Sequence, residues 1–246
     1  MRRNIVALAA ALLLVAACGR SYNTTGMNLE QVEELADEAF RESDFRGASR
    51  LYTELMFMYP GSSQIDYYLY QLGRSEAGSK YWADALFYFD RVEREYSRSQ
   101  WSDDCAYQSA MVWWSQRQDF RKDLTPVLNC RAELEDFFLQ YPGSSLMGDA
   151  EALMLAVNGH LARRALFIGQ FYARRNKHDA SLLYLLEALN DYGETDCMAE
   201  VLISLGDLYN EKDNDYTARD YYRRAMNECE LSEEQAIELQ SKLDEL

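Results

Sequence analysis

Residues that break helices are scarce in this chain of 246 residues. Only three prolines and 12 glycines occur and β-branched residues are few, whereas Tyr is abundant at 18. Proline disrupts helix interiors, and β-branched side chains favour strands. The composition therefore predicts an all-α fold.

Long apolar runs are equally scarce, and the one that exists lies near the start. Ile5 to Ala17 is apolar throughout and follows Arg2 and Arg3. At about 13 residues it is shorter than the ~20 needed to cross a bilayer, so it is typical of a secretory signal peptide.

The end of this run fits a lipobox, Val-Ala-Ala-Cys, in which Cys18 is lipidated. The alternative is an ordinary signal peptide with a chance Cys. We predict a signal peptide over 1–17 and a flexible tether over 18–27, held by acyl chains that form a stable anchor. Gly19, where lipoproteins kept at the inner membrane usually carry Asp, favours the periplasmic face of the outer membrane.

Basic residues are outnumbered by acidic ones, 25 against 41. Loss of Arg2 and Arg3 with the signal peptide takes the formal charge from −16 to −18. Nucleic-acid binding needs Lys and Arg to replace counterions, so no nucleic-acid partner is expected. An acidic surface suits partners with basic patches.

Signatures of catalysis and of metal binding are also missing. The two histidines, His160 and His178, have no carboxylate or Cys at ligand spacing, and the cysteines fit no zinc motif. There is no Gly-rich phosphate loop and no Gly-x-Ser-x-Gly elbow. We therefore predict no catalytic residue, no metal and no cofactor.

Internal repeats organise the rest of the chain. Tyr-Pro-Gly-Ser-Ser occurs at Tyr59 and Tyr141, with degenerate versions at Tyr96 and Tyr192. The residue before Pro is pushed out of the α region, so a helix ends there, and the following Ser is expected to cap the next helix. A small residue eleven positions before each Tyr, with apolar residues seven and four before it, marks one helix face. The preceding helices carry small residues at Ala36, Gly73, Ala110, Gly169 and Gly206.

This pattern resembles the tetratricopeptide (TPR) consensus. The alternative is an unrelated helical bundle with accidental periodicity. Because five registers share one template, we favour a right-handed α-solenoid of about five TPR-type hairpins. The best match is the last unit, with Leu205, Gly206, Tyr209, Ala218, Tyr222 and Ala225.

The unit boundaries follow from these positions. An insert lies near 119–126 in the third unit, and the fourth opens with a long helix, roughly 146–176. A capping box from Ser232 to Gln235 opens a polar capping helix over 233–246. The predicted units are 28–60, 62–97, 100–142, 144–193 and 195–229, grouped into an N-terminal domain, 28–142, and a C-terminal domain, 143–246.

Four cysteines follow Cys18. Cys105 and Cys130 are expected to be buried thiols. Cys197 begins one helix and Cys229 ends its antiparallel partner, and the periplasm permits disulfides. A Cys197–Cys229 disulfide and two free thiols both remain open.

Three further features of the chain point to a known family. The first is the lipobox with five TPR units, and the second is Phe-Arg-Gly-Ala over 45–48. The third is Leu-Ala-Arg-Arg-Ala-Leu-Phe-Ile-Gly-Gln-Phe-Tyr-Ala-Arg-Arg over 161–175, followed by Asn-Asp-Tyr-Gly-Glu-Thr over 190–195. With these features nearly all of the mature chain resembles the BamD family, lipoproteins of the β-barrel assembly machinery in outer membranes. Gly193 replaces an expected Pro, and the acidic C-terminal helix departs from the pattern.

The resemblance implies a non-catalytic scaffold. Its C-terminal half would dock on periplasmic domains of the barrel-forming insertase, and its N-terminal half would meet incoming outer-membrane polypeptides. The corresponding docking candidates are Arg163, Arg174 and Arg175 on the long helix. The alternative for each is an ordinary solvated basic face.

The family register also places six residues on a concave side. Aromatic rings with an Arg suit an extended peptide that has aromatic residues and a terminal carboxylate, as at the ends of many outer-membrane barrel proteins. The alternative is that several rings fill the core between hairpins. The six are Tyr67, Tyr70, Arg74, Tyr107, Met111 and Trp114.

Three functions stay open at this point. The first is a scaffold in outer-membrane protein assembly, which the long fourth-unit helix and the five-unit layout favour. The second is a TPR lipoprotein that serves a secretin, a pilus or envelope-division machinery. The third is a scaffold that tethers or activates a peptidoglycan hydrolase.

Overall fold

Residues 21–246 are described by a computed structural model of the chain. The predicted signal peptide and Cys18 lie outside the described residues. Within residues 21–246 the structure contains eleven α-helices and no strand. They are α1 (Leu29–Arg41), α2 (Phe45–Met58), α3 (Ile65–Gly78), α4 (Trp82–Glu95), α5 (Ser102–Ser115), α6 (Thr125–Gln140), α7 (Met147–Ala173), α8 (His178–Asp191), α9 (Met198–Asn210), α10 (Asp215–Glu228) and α11 (Glu233–Glu245).

Neighbouring helices pack as hairpins. The pairs are α1 with α2, α3 with α4, α7 with α8 and α9 with α10. Each hairpin also contacts the next where both lie in one compact unit, through α2 with α3 and α8 with α9. The predicted fold class, all-α with TPR-type hairpins, is confirmed.

The chain divides into two compact units. The first extends to Val112 and includes Leu139–Ser144. The second contains Trp113–Phe138 and Ser145–Leu246. The division therefore passes through α5 and α6, whereas the sequence predicted a single boundary between residues 142 and 143.

Small residues at the helix crossings allow the paired helices to approach closely. A Cβ atom added to Gly73 would lie 2.6 Å from Cδ1 of the Phe89 ring, and one added to Gly169 would lie 2.8 Å from Leu185. Gly206 stands in the same relation to the ring of Tyr222. Real Cβ atoms do not approach so closely, so each large side chain occupies the space that its small partner leaves.

An aspartate follows the small residue in two of the hairpins and binds the tyrosine that packs there. The hydroxyl of Tyr52 donates to Asp37 Oδ1 at 2.5 Å, and that of Tyr222 donates to Asp207 Oδ1 at 2.7 Å. Both rings are fully buried. The hydrogen bond satisfies the one polar atom of a large ring that is otherwise in apolar surroundings.

The C-terminal helix uses the same aspartate. Lys242 on α11 donates to Asp207 Oδ1 at 2.7 Å, and Leu239 is the one side chain of α11 that is buried. The predicted capping box is present, with Ser232 Oγ accepting from the backbone N–H of Gln235 at 3.2 Å. The long helix of the fourth unit is also confirmed, as Met147–Ala173.

The serines after the two Tyr-Pro-Gly turns do not cap the following helices, so this prediction was wrong. The residues preceding α3 and α7 are Gln64 and Leu146, and neither makes a side-chain cap. Ser62 accepts from the backbone N–H of Gln64, outside the helix, and Ser144 donates to Asp103 at 2.6 Å. The turn holds one more residue before the helix than the capping pattern allows.

No helix within residues 21–246 is long and apolar enough to cross a bilayer.

Gly206→Ala tests the close approach. The added methyl group would meet the buried Tyr222 ring, whose hydroxyl is fixed by Asp207, so we expect a loss of about 1–2 kcal/mol in the free energy of unfolding. The matched control is Gly148→Ala on α7, where nothing lies within 4 Å of an added Cβ. Urea denaturation of both variants measures the difference, and equal stabilities would contradict the packing argument.

Candidate functional site

Three residues of α3 form one polar row in the first unit. The Tyr67 hydroxyl donates to Asp37 Oδ1 at 2.8 Å and accepts from Gln71 Nε2 at 2.8 Å. Gln71 Oε1 in turn accepts from the guanidinium of Arg74 at 3.1 Å. Because the row is continuous, Tyr67 and Arg74 share one face of α3.

Arg74 lies near two aromatic rings. Its guanidinium carbon is 4.4 Å from the centre of the Phe40 ring and 5.3 Å from that of Tyr70. Both rings attract the cation and limit its rotamers. Within residues 21–246 no carboxylate forms an ion pair with Arg74, so the charge can interact with an anionic ligand.

Tyr70 is mainly a core residue. It is 5% exposed, stacks on Trp101 with ring centres 4.9 Å apart, and donates to Asp104 Oδ1 at 3.2 Å. Burial raises the pKa of the Tyr70 hydroxyl above its ordinary value. The Tyr70 ring therefore packs near Arg74 within the core and offers little surface to a ligand.

The remaining predicted groove residues lie on α5. Tyr107 and Met111 are half-buried and belong to the first unit, whereas Trp114 belongs to the second. The structure therefore brings together Tyr67, Tyr70 and Arg74 of the predicted six. The other three remain predictions.

The first unit also contains a cavity that the sequence analysis missed. Its volume is about 360 Å³, and Tyr67 is the one predicted groove residue in its wall. Glu33 comes from α1, and Trp101 precedes α5, so the family register, which considered α3 and α5, did not include them. The lining residues are Glu33, Ser63, Gln64, Asp66, Tyr67, Gln100 and Trp101.

The three docking candidates lie on the exposed side of α7 or just beyond it. Arg163 forms an ion pair with Asp196. Arg175 lies over the Phe171 ring, 3.6 Å from its centre, and Arg174 lines a cavity of about 310 Å³. All three are at least partly exposed, as a docking role requires and as a solvated face would also allow.

A second cavity, of about 450 Å³, lies beside α7 in the second unit. Arg163 and Trp114 line it, together with Arg117, whose guanidinium carbon is 4.2 Å from the Trp114 ring centre. Burial, with Arg117 nearby, lowers the pKa of His160, another lining residue, below its ordinary value. Basic and acidic side chains both line this cavity, because Glu194 and Asp196 also contribute to its wall.

The four cysteines within residues 21–246 are free thiols. Cys105 and Cys130 are fully buried, as predicted, and burial raises the pKa of Cys130 to about 12. Cys197 and Cys229 line one cavity of about 490 Å³ and are not bonded in the structure, which differs from the disulfide alternative.

A comparison with protein families identifies the family to which the chain belongs. The model of the family described as "YfiO: Outer membrane lipoprotein" matches residues 27–224. The chain belongs to the YfiO family. The predicted family is confirmed by a relative in Pasteurella multocida (strain Pm70), the outer membrane protein assembly factor BamD. It is 22% identical over 228 residues, which is 88% of each chain.

Solved structures of TPR proteins resemble this YfiO-family chain more distantly. A TPR repeats protein of Bacteroides fragilis NCTC 9343 is 15% identical, with a TM-score of 0.49 over 89% of this chain and 97% of that one. A thermophilic TPR protein of Thermus thermophilus is 16% identical, with a TM-score of 0.38 over 88% of this chain and 99% of that one.

The environments of the cysteines predict their reactivity. In a Cys18→Ser chain we expect Cys229, the one half-buried thiol, to react first with a maleimide, because burial hinders access to the other three. Burial raises the pKa of all four thiols, so accessibility decides the order. Mass spectrometry of the native protein should show one rapid addition, absent from a Cys18→Ser/Cys229→Ser chain. Rapid labelling of Cys105 or Cys130 would show that these helices are not packed as described.

Proposed function

We propose that this YfiO-family chain is a lipid-anchored scaffold of the outer-membrane β-barrel assembly machinery. It binds the barrel-forming insertase through its second unit and incoming outer-membrane polypeptides through its first. The family match over residues 27–224 supports the assembly role, as does the name of the Pasteurella relative. The anchor is an acylated Cys18 on the periplasmic face of the outer membrane.

The observation that carries the polypeptide-binding role is the position of Arg74. Its guanidinium is half-buried, lies near the Phe40 and Tyr70 rings and forms no ion pair with a carboxylate of residues 21–246, so it is available to bind an anionic group. Bidentate binding of a carboxylate by Arg is strong and directional. A polypeptide end that carries an aromatic side chain would add apolar contact with Tyr67.

Docking of the insertase is supported by the exposed side of α7. Phe167 and Phe171 are each 36% exposed, and Arg163, Arg174 and Arg175 lie near them with accessible side chains. Aromatic residues and Arg are enriched in the centres of protein interfaces. The insertase surface that fits is one with acidic side chains around an apolar patch.

Depletion of the protein tests the assembly role in the cell. We expect the amounts of folded barrel proteins in the outer membrane to fall, with recovery when the wild-type chain is supplied. Heat-modifiable migration of barrel proteins in gels measures the folded fraction. Unchanged barrel proteins, with loss of a secretin or of peptidoglycan hydrolase activity instead, would replace this proposal by one of the other two functions.

Arg74→Gln tests the peptide site. Loss of a charge-assisted hydrogen bond is expected to weaken binding of a peptide with a free aromatic C-terminus by roughly 10-fold or more, because such bonds contribute about 1.5–3 kcal/mol. The control is Arg94→Gln, which removes the same charge from an exposed position on α4. Fluorescence anisotropy with free and amidated peptides measures the effect, and equal affinities in both variants would remove Arg74 from the site.

A further inference from the structure

The cavity beside Tyr67 in the first unit has features of a binding site for a cation. Residues from α1 and α3 and from the segments before α3 and α5 enclose about 360 Å³. None of the residues that line the cavity is basic, whereas two of them, Glu33 and Asp66, carry carboxylates.

The two carboxylates have different partners. Asp66 accepts from the Ser99 hydroxyl at 2.6 Å and from the backbone N–H of Tyr67 at 2.9 Å, so its position is fixed. Glu33 forms no ion pair with any residue in 21–246. Burial raises the pKa of Glu33, and the nearby charges of Asp37 and Glu30 raise it further. Negative charge is therefore in excess on this side of α1, and an added cation would relieve it.

Aromatic rings form another part of the wall. Tyr67 and Trp101 lie with ring centres 5.3 Å apart. Trp101 is held by its stack on Tyr70, and Tyr67 by its hydrogen bonds to Asp37 and Gln71, so both rings are fixed before a ligand arrives. Tyr and Trp rings attract cations, and Lys and Arg most of all combine charge with an apolar stem that packs on such rings.

From this cavity we infer a specific recognition site for one basic side chain, Lys or Arg, of an incoming polypeptide. The cation lies against Tyr67 and Trp101 and is neutralised by Glu33 and Asp66. The amide oxygens of Gln64 and Gln100, also in the wall, provide further acceptors for its N–H groups. The choice of an incoming polypeptide as the occupant rests on the proposed function.

The distance between Tyr67 and Arg74 sets the spacing of the two charged groups on the ligand. Tyr67 and Arg74 are seven residues apart on one face of α3, which corresponds to about 10 Å at ~1.5 Å per residue. An extended peptide covers that distance in about three residues at ~3.3 Å each. The preferred segment therefore has its basic side chain about three residues from the carboxylate that Arg74 binds.

The test uses two peptides and the full chain with Cys18→Ser. One peptide ends in a free aromatic residue and carries Arg three positions before it. The other has citrulline, the neutral isostere, in place of that Arg. Anisotropy titrations at low salt are expected to show at least ~5-fold tighter binding of the Arg peptide, the range expected for a cation held by rings and carboxylates.

Glu33→Gln should abolish this preference, leaving the citrulline peptide unaffected. Its matched control, Glu34→Gln, removes the same charge one residue later, at an exposed position, and should keep the preference. Trp101→Leu should weaken binding of the Arg peptide and leave binding of the citrulline peptide unchanged. Circular dichroism checks that every variant is folded.

Equal binding of the Arg and citrulline peptides by the wild-type chain would overturn the inference, and this result does not depend on how any variant folds. An equal loss of the preference in Glu33→Gln and Glu34→Gln would also overturn it, because it would indicate a diffuse effect of net charge. Failure of the proposed function would be seen in different measurements. The amounts of folded barrel proteins would not change on depletion, or Arg74→Gln would not change the affinity for the peptide.

Discussion

The close approach of two helices at a residue without a large side chain is the constraint on which the rest of the fold depends. At Gly206 the backbone of α9 lies directly against the Tyr222 ring of α10, and at Gly73 that of α3 lies against Phe89. A large side chain packed at each glycine crossing, a ring at Gly73 and Gly206 and Leu185 at Gly169, fixes how the helices are paired. The apolar burial of the hairpin follows from this contact, because the flanking positions then meet as well.

In the first and last hairpins, the aspartate after the small residue connects the hairpin to the next element. Asp37 accepts from Tyr52 within its own hairpin and from Tyr67 on α3 of the next. Asp207 accepts from Tyr222 within its hairpin and from Lys242 on α11. The same position therefore joins one hairpin to another near the N-terminus and holds the capping helix at the C-terminus. A single capping helix covers the last hairpin, as repeat folds require.

Positive and negative side chains lie close together on the first unit, although the whole chain is acidic. Tyr67 connects the two functional regions of α3, since its hydroxyl belongs to the row that ends at Arg74 and its ring belongs to the cavity with Glu33. Among residues 21–246, Arg74 and Glu33 form no ion pair, and both lie near the same tyrosine. Complementary charges on a ligand would fix its register, which net charge alone does not.

The sequence by itself determined the helices, their pairing, the small residues at the crossings, the capping box at Ser232 and the family. These features depend on periodicity and spacing within about 40 residues, and in a repeat protein both can be read from the sequence. Only the tertiary structure decided that Tyr70 is buried, that Ser144 bonds to Asp103 instead of capping α7, and that Glu33 and Trp101 share a cavity. Such contacts join side chains from different repeats, and their direction depends on how neighbouring hairpins pack, which no single repeat specifies.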